Sequence, residues 1–276
     1  TREVLQHVLE TSRPVRLLVL CTQRDNDASA PTPLAAAEML ALGRLSPAAS
    51  RWLIREASAD SLPPDLVQRL AERADGVPLF LEESARMAVE AGPRAGALMA
   101  EVPATLEGLL MARVDRLGAR GKPLCQVAAV LGRDFPAELL DRVAADPELP
   151  LSISDAGGQL AALGQAGVLR AYTAAGVPRM AFRHELIRDV AYLSLWQRDR
   201  CAVHAAVARA LKARFAGAVE AQPEWLAHHL AGAGQHAEAV ALWERAARAA
   251  AAASANREAI RHARAALESL AQAEAS

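Results

Sequence analysis

The chain has 276 residues, enough for two or three domains, and 52% of them are hydrophobic, so burying a core is within its reach. Aromatic residues make up 4%, and the abundance of alanine, the strongest intrinsic helix former, favours closely packed helices. With 31 basic and 32 acidic side chains the net charge is −1, which argues against nucleic acid or an anionic membrane as the main partner.

Val4, Leu5, Val8 and Leu9 form a helical stripe that Pro14 stops. The run Val15 to Cys21 is short and almost wholly apolar, as expected of a strand covered on both faces in a parallel sheet. A helix followed by such a strand is half of a βαβ unit, so the rest of the sheet is expected ahead of residue 1. Residues 25–33 read as loop. From Ser46-Pro47, an N-cap followed by proline at the first helical position, the period becomes helical. Pro63-Pro64 opens a second helix that Gly76 ends, and Pro78 opens a third reaching about Val89. Residues 91–100 read as linker. Three helical patterns fill 103–144, punctuated by Gly118, Gly121, Gly132 and Pro136, and a fourth covers 153–165. Two short strands, 167–172 and 179–183, follow, joined through 174–178. Several helices and then a hairpin outline a winged helix. Everything from 184 onward reads as helix, and Ala237-Glu238-Ala239-Val240 is echoed 20 residues later by Arg257-Glu258-Ala259-Ile260. Small residues at facing positions suit stacked helical hairpins of tetratricopeptide type.

No Gly-x-x-x-x-Gly-Lys-Ser/Thr phosphate loop occurs; the nearest approach, Gly121-Lys122, is followed by Pro123, which has neither the N–H nor the hydroxyl that such a loop needs. Cys21, Cys125 and Cys201 are odd in number, far apart and set among apolar residues, and read as reduced core thiols. Glu82-Glu83 and Asp115-Arg116 fall on amphipathic helices and read as solvated faces. His228 and His229 are adjacent, point to different sides of a helix and make a poor metal pair, and His204 with Arg200 reads as surface. No nucleophile–base constellation has credible spacing. No signal-peptide pattern is seen, and no apolar stretch approaches the roughly 20 residues that cross a bilayer, so a cytoplasmic protein without a membrane partner is expected.

Four phrases carry a resemblance: Ala74-Asp75-Gly76-Val77-Pro78-Leu79-Phe80-Leu81-Glu82-Glu83, Val102-Pro103-Ala104-Thr105-Leu106, Ala128 to Phe135, and Phe182-Arg183-His184-Glu185-Leu186 continuing to Tyr192. In this order the chain resembles the C-terminal half of a STAND-type (NACHT/NB-ARC-like) AAA+ ATPase module, of the kind fused to bacterial class III adenylate/guanylate cyclases and to large LuxR-type regulators. The resemblance implies a mainly α fold: the end of a parallel α/β P-loop core over 1–45, a helical lid over 46–100, a winged helix over 101–183, and the start of a tetratricopeptide-like array over 184–276. It implies ATP or ADP with Mg²⁺ as cofactor, most of whose site lies upstream of residue 1. Arg24 falls at the sensor arginine that follows a core strand, where α/β sheets bind ligands. Gly76 and Pro78 match the lid motif whose proline packs on adenine. His184 matches the winged-helix histidine that reaches the β-phosphate of ADP, although Arg183 stands in place of Met and Glu185 in place of Asp.

The implied function is a regulatory relay. The fragment senses ATP against ADP and passes a signal, from an inducer or protein on the repeats, to an output domain outside the chain, a nucleotide cyclase before the alternatives. Those alternatives are a LuxR-type transcriptional regulator or a non-catalytic helical scaffold. The chain alone is expected not to hydrolyse ATP. Direct contact with nucleic acid is not expected, because the candidate recognition helix, 153–165, has no Lys or Arg.

Overall fold

The computed structural model describes residues 40–92 and 105–275 continuously, together with residues 7, 8, 11, 18–20, 22, 38 and 103. The chain divides into two compact units, Thr1–Arg44 and Leu45–Ser276. In the first, His7, Val8 and Thr11 are helical, and the Thr11 hydroxyl donates to the His7 carbonyl at 2.8 Å. The buried strand expected from Val15 to Cys21 is not seen where it is described: Leu18–Leu20 are not in a strand, and Leu18 and Leu20 are 82% and 85% exposed. A strand of a two-faced sheet needs hydrogen-bonding neighbours, and among the described residues these three have none. The remainder of that segment lies outside the described residues.

The second unit opens with three helices, α1 (Pro47–Ala57), α2 (Pro64–Ala74) and α3 (Pro78–Ala91), each with proline at its first position. Proline is preset there and its missing N–H is not needed. Ser46 caps α1, accepting from the Ala49 N–H at 3.2 Å. Ile54, Leu66, Leu70 and Leu81 close a core among the three helices, and Leu109 of the following helix joins it.

A larger core follows. It is built by α4 (Leu106–Arg116), α5 (Gly118–Leu131), α6 (Ala137–Ala144) and α7 (Ala156–Gln165), with a small antiparallel sheet of β1 (Asp134–Pro136), β2 (Leu169–Ala174) and β3 (Val177–Phe182) in the order β1-β3-β2. Phe135 pairs with Met180 and Leu169 with Phe182, which turns the large side chains Phe135 and Phe182 into the core.

Two sequence expectations need correction here. Gly121 does not interrupt a helix; it and Pro123 both lie inside α5. A proline past the first turn costs about 3 kcal/mol, but every residue from Leu124 to Leu131 is buried, and that packing outweighs the loss. The hairpin loop is also shorter than expected: Ala175 and Gly176, at φ 49° and 77°, make a two-residue turn of the kind that suits twisted strands. Pro178 is therefore within β3, paired with Thr173, in a central strand that normally excludes proline. It is tolerated because β1 reaches only as far as Arg179, so beyond that point β3 is an edge.

Helices α8 (Glu185–Leu193), α9 (Gln197–Arg214), α10 (Ala216–Ala221), α11 (Pro223–Gly232), α12 (His236–Ala252) and α13 (Asn256–Ala275) complete the chain. The α8 helix packs on α4 and α5, α9 on α5, α6 and α11, and α11, α12 and α13 pack in succession. The echoed phrases begin one residue into α12 and α13, so the 20-residue offset is one helix and its turn, not a helix pair. The fold is mainly α: 13 helices and one three-stranded sheet among the described residues. None of these helices is long and apolar enough to cross a membrane.

Candidate functional site

The Gly76-Val77-Pro78 motif forms the turn between α2 and α3. Asp75 and Gly76 are both left-handed, at φ 46° and 71°, which reverses the chain within two residues; Gly76 adopts that conformation without the Cβ penalty. The Gly76 carbonyl accepts from the Leu45 N–H at 2.9 Å, tying the entry of the bundle to this turn. Gly76 is buried and Pro78 exposed, with the proline at the first position of α3. The ring of Pro78 is thus presented to solvent and does not take part in the core.

His184 lies at the other end of the same joint. It follows β3 by two residues and is the N-cap of α8, with extended backbone and no capping bond from its side chain. Half-buried, the imidazole is held below its ordinary pKa by burial; Glu83 and Glu82 pull it up, and Arg113 and Arg183 push it down. Those neighbours place it beside the second turn of α3, the helix that Pro78 begins. His184 is thus within electrostatic reach of Glu82 and Glu83, on the helix that Pro78 begins, and not at the Gly76–Pro78 turn itself. Arg24 lies outside the described residues.

Between them is a buried ion pair that the sequence did not reveal. Glu83 and Arg113 are 4% and 5% exposed and salt-bridged to each other, joining α3 to α4. The Arg113 guanidinium also donates to the carbonyl of Ala166, just after α7. Burial lowers the Arg113 pKa, and Glu83 opposes that shift. Gly167 follows at φ 65°, and a Cβ there would lie 3.0 Å from an Arg86 terminal nitrogen and 3.1 Å from one of Arg113. Both guanidinium groups are therefore seated against this backbone. The Nε of Arg86 is buried with no hydrogen-bond partner among the described residues. The expectation that Glu82-Glu83 is a solvated face is wrong for Glu83: it stands on the side of α3 that α4 covers. Asp115 and Arg116 do lie on the surface, in exposed ion pairs with Lys122 and Glu90.

The expectation for His204 is also overturned. It is 1% exposed, as is His229, and their Nδ1 atoms are 3.0 Å apart. The Tyr192 hydroxyl lies 3.2 Å from Nε2 of His204. The His228 ring, from the same helix as His229, packs edge-on against His204, with ring centroids 5.5 Å apart, and is partly open to water. A helix with so even a mixture of alanine and charge as α9 has no sharp apolar stripe, so nothing in its period marked His204 as inward. Cys125 is a buried free thiol whose pKa burial pushes up to about 12, and Cys201 is free and half-buried. Among the described residues no group of three or more His, Cys, Asp or Glu side chains is arranged to hold a metal ion.

A shallow cavity of about 510 Å³ between α6 and α9 does not add a site, because its arginines are already engaged. Arg209 is paired with Asp146 and Glu148, and Arg142 and Arg214 with Glu138.

The chain matches no protein-family model, and no curated protein matches it significantly.

Proposed function

We propose that the chain is the regulatory part of a STAND-type signalling ATPase. In this reading α1–α3 are the lid, α4 to α7 with the small sheet are a winged helix, and α8–α13 begin a tetratricopeptide-like array. ADP clamps lid to winged helix; exchange for ATP, with an inducer on the array, releases them and drives an output domain, a nucleotide cyclase in the first instance. That is a population shift driven by differential affinity.

The observation that carries the reading is that His184 feels the charges of Glu82 and Glu83 on α3, the helix opened by Gly76 and Pro78. In the resembled family both motifs contact the nucleotide, and a link between them through one helix is what that reading expects. The side chains at this joint suit a phosphate edge. Arg113 neutralises Glu83, Arg183 and Arg86 add positive charge, and the buried Arg86 Nε is a donor without an acceptor. Glu82 works against an anion, and a phosphate would have to outweigh it. Pro78, exposed at the start of α3, is free to cover an adenine. Bound Mg²⁺ would supply charge neutralisation on the phosphates, through residues other than these; Arg24 would read the terminal phosphate.

The test is His184→Ala in the parent protein. Loss of a hydrogen bond to a charged phosphate is worth about 1.5–3 kcal/mol, or roughly 10- to 150-fold in affinity. ADP affinity is expected to fall by that factor, ATP affinity by much less, and basal output to rise. Equal loss of both nucleotides would make His184 a packing residue, and unchanged binding of both would end the reading in favour of a scaffold.

A further inference from the structure

His204 and His229 meet where α9 passes to the C-terminal helices, and the proposed nucleotide switch makes no use of them. We propose that the His204–His229 pair, backed by Tyr192, is an acid-sensitive latch that holds α11 and the helices beyond it on α9, and that protonation of the pair releases them.

The hydrogen bonds set how many protons the pair accepts. With both rings neutral, one Nδ1–H donates to the other ring's Nδ1 at 3.0 Å, and Tyr192 satisfies Nε2 of His204 in either tautomer. One added proton leaves that chain of bonds intact but places a charge in the core. A second sets two N–H groups against each other, with no acceptor between them. Among the described residues no opposite charge acts on either ring. The groups acting on the two rings are Tyr192 from α8, Arg200 from α9 and His228 from α11; Arg188 from α8 acts on His228. Among the described residues, the other helices packed on α9 and α11, namely α5, α6, α10 and α12, contribute no charge to the shift of either ring.

Gly232 couples charge to movement. A Cβ there would lie 2.6–2.8 Å from the His204 ring, so the imidazole is seated directly on the end of α11. A protonated ring reaches water only if α11 moves off it. The sign follows from linkage: burial, with neighbouring positive charge, holds His204 at about 4 and His229 well below its ordinary value. The closed state is therefore fully favoured above the ordinary histidine value near 6.5 and loses ground as the pH falls from there toward 4. For His204 alone, a shift of this size lowers the closed-to-open ratio about 20-fold on going from pH 7 to pH ~5.

The test is hydrogen exchange on the full chain at pH 7 and pH 5, corrected for intrinsic rates, for wild type and the non-titrating double variant His204→Gln/His229→Asn. We expect the amides of α11 in wild type to lose at least about 20-fold of their protection relative to α1–α3, and the double variant, which keeps only His228 of the three histidines, to lose clearly less. Equal losses in both proteins, or no loss in wild type, overturn the latch. Zinc ions that raise α11 protection at pH 7 in wild type alone would overturn it in favour of a metal site. If the double variant does not fold, the wild-type ring signals of His204 and His229 decide by NMR: titration near 6.5 overturns the latch, and rings neutral to below pH 5 whose protonation coincides with α11 exchange sustain it.

Discussion

Two buried polar joints hold the second unit together, and they are built from opposite materials. At the α3–α4 joint a carboxylate and a guanidinium are both almost fully withdrawn from water and paired. At the α9–α11 joint two imidazoles are equally buried but share a hydrogen bond instead of opposite charges. The first joint is strong only while both partners are present, since either one alone is a buried unpaired ion. The second carries no charge at neutral pH, so it costs less to bury, and it is vulnerable to a single proton. The difference teaches that burial alone does not say how a polar contact behaves; the charge state of its members decides whether it acts as a fixed joint or a responsive one.

The largest effect expected follows from breaking the fixed joint. Arg113→Met leaves Glu83 unpaired and the Ala166 carbonyl without its donor. We expect a loss of about 3–5 kcal/mol, the range for breaking a buried ion pair by removing one member. Adding Glu83→Leu should restore most of it, because removing both charges also removes both desolvation costs. Urea unfolding of the two single variants and the double measures this as a coupling energy. If the double variant is as unstable as Arg113→Met, the joint depends on shape and not on charge, and the comparison fails.

A smaller effect is expected from Gly232→Ala at the second joint. The new methyl group would lie 2.6–2.8 Å from three atoms of the His204 ring, closer than contact allows. The ring must shift, and with it the bond to His229. Overpacking of this kind costs about 1–3 kcal/mol, set against a gain of under 1 kcal/mol from replacing glycine near a helix end. A net destabilisation of about 1–2 kcal/mol in urea is the expected result. Increased stability would mean that α11 already sits loosely on α9.

These two joints also show what was legible in the sequence. The helix starts at Pro47, Pro64 and Pro78 could be read because proline and its preceding cap act locally. The hairpin and its approximate place could be read for the same reason, from Ala175-Gly176 between two short apolar runs. Strand β1 could not: three residues, Asp134–Pro136, have no period of their own, and only pairing with β3 makes them a strand. Adjacent acids on a helix usually face water, so nothing local marks Glu83 as covered, and the covering helix α4 comes 20 or more residues later. Nothing local marks His204 as buried, because its partners, Tyr192 and His229, lie on two other helices. The motif positions Gly76, Pro78 and His184 were singled out through resemblance, but their placement about α3 is a tertiary fact. In each case local chemistry was readable, and which face another element covers was not.

The smallest effect expected lies on the same two helices as the largest, which makes it the sharpest control. Glu90 of α3 and Arg116 of α4 are also paired, at 3.9 Å, but their side chains are 50% and 40% exposed. Glu90 is two turns beyond Glu83 and Arg116 one turn beyond Arg113, so both pairs bridge the same interface. Water solvates the outer pair whether or not it forms, so its attraction is largely offset by the hydration and side-chain freedom it gives up. Arg116→Ala should therefore cost about 0–1 kcal/mol, and that cost should shrink as salt is raised from 0.05 to about 1 M, where the screening length falls to roughly 3 Å. The loss in Arg113→Met should hardly change over the same range, because ions do not enter the buried site. Both measurements use one protein, one denaturant and one helix pair, so burial is the main variable left. A salt-independent loss above about 2 kcal/mol for Arg116→Ala would mean that the α3–α4 interface is held along its whole length by charge, and that burying Glu83 with Arg113 confers nothing particular on that point of the joint.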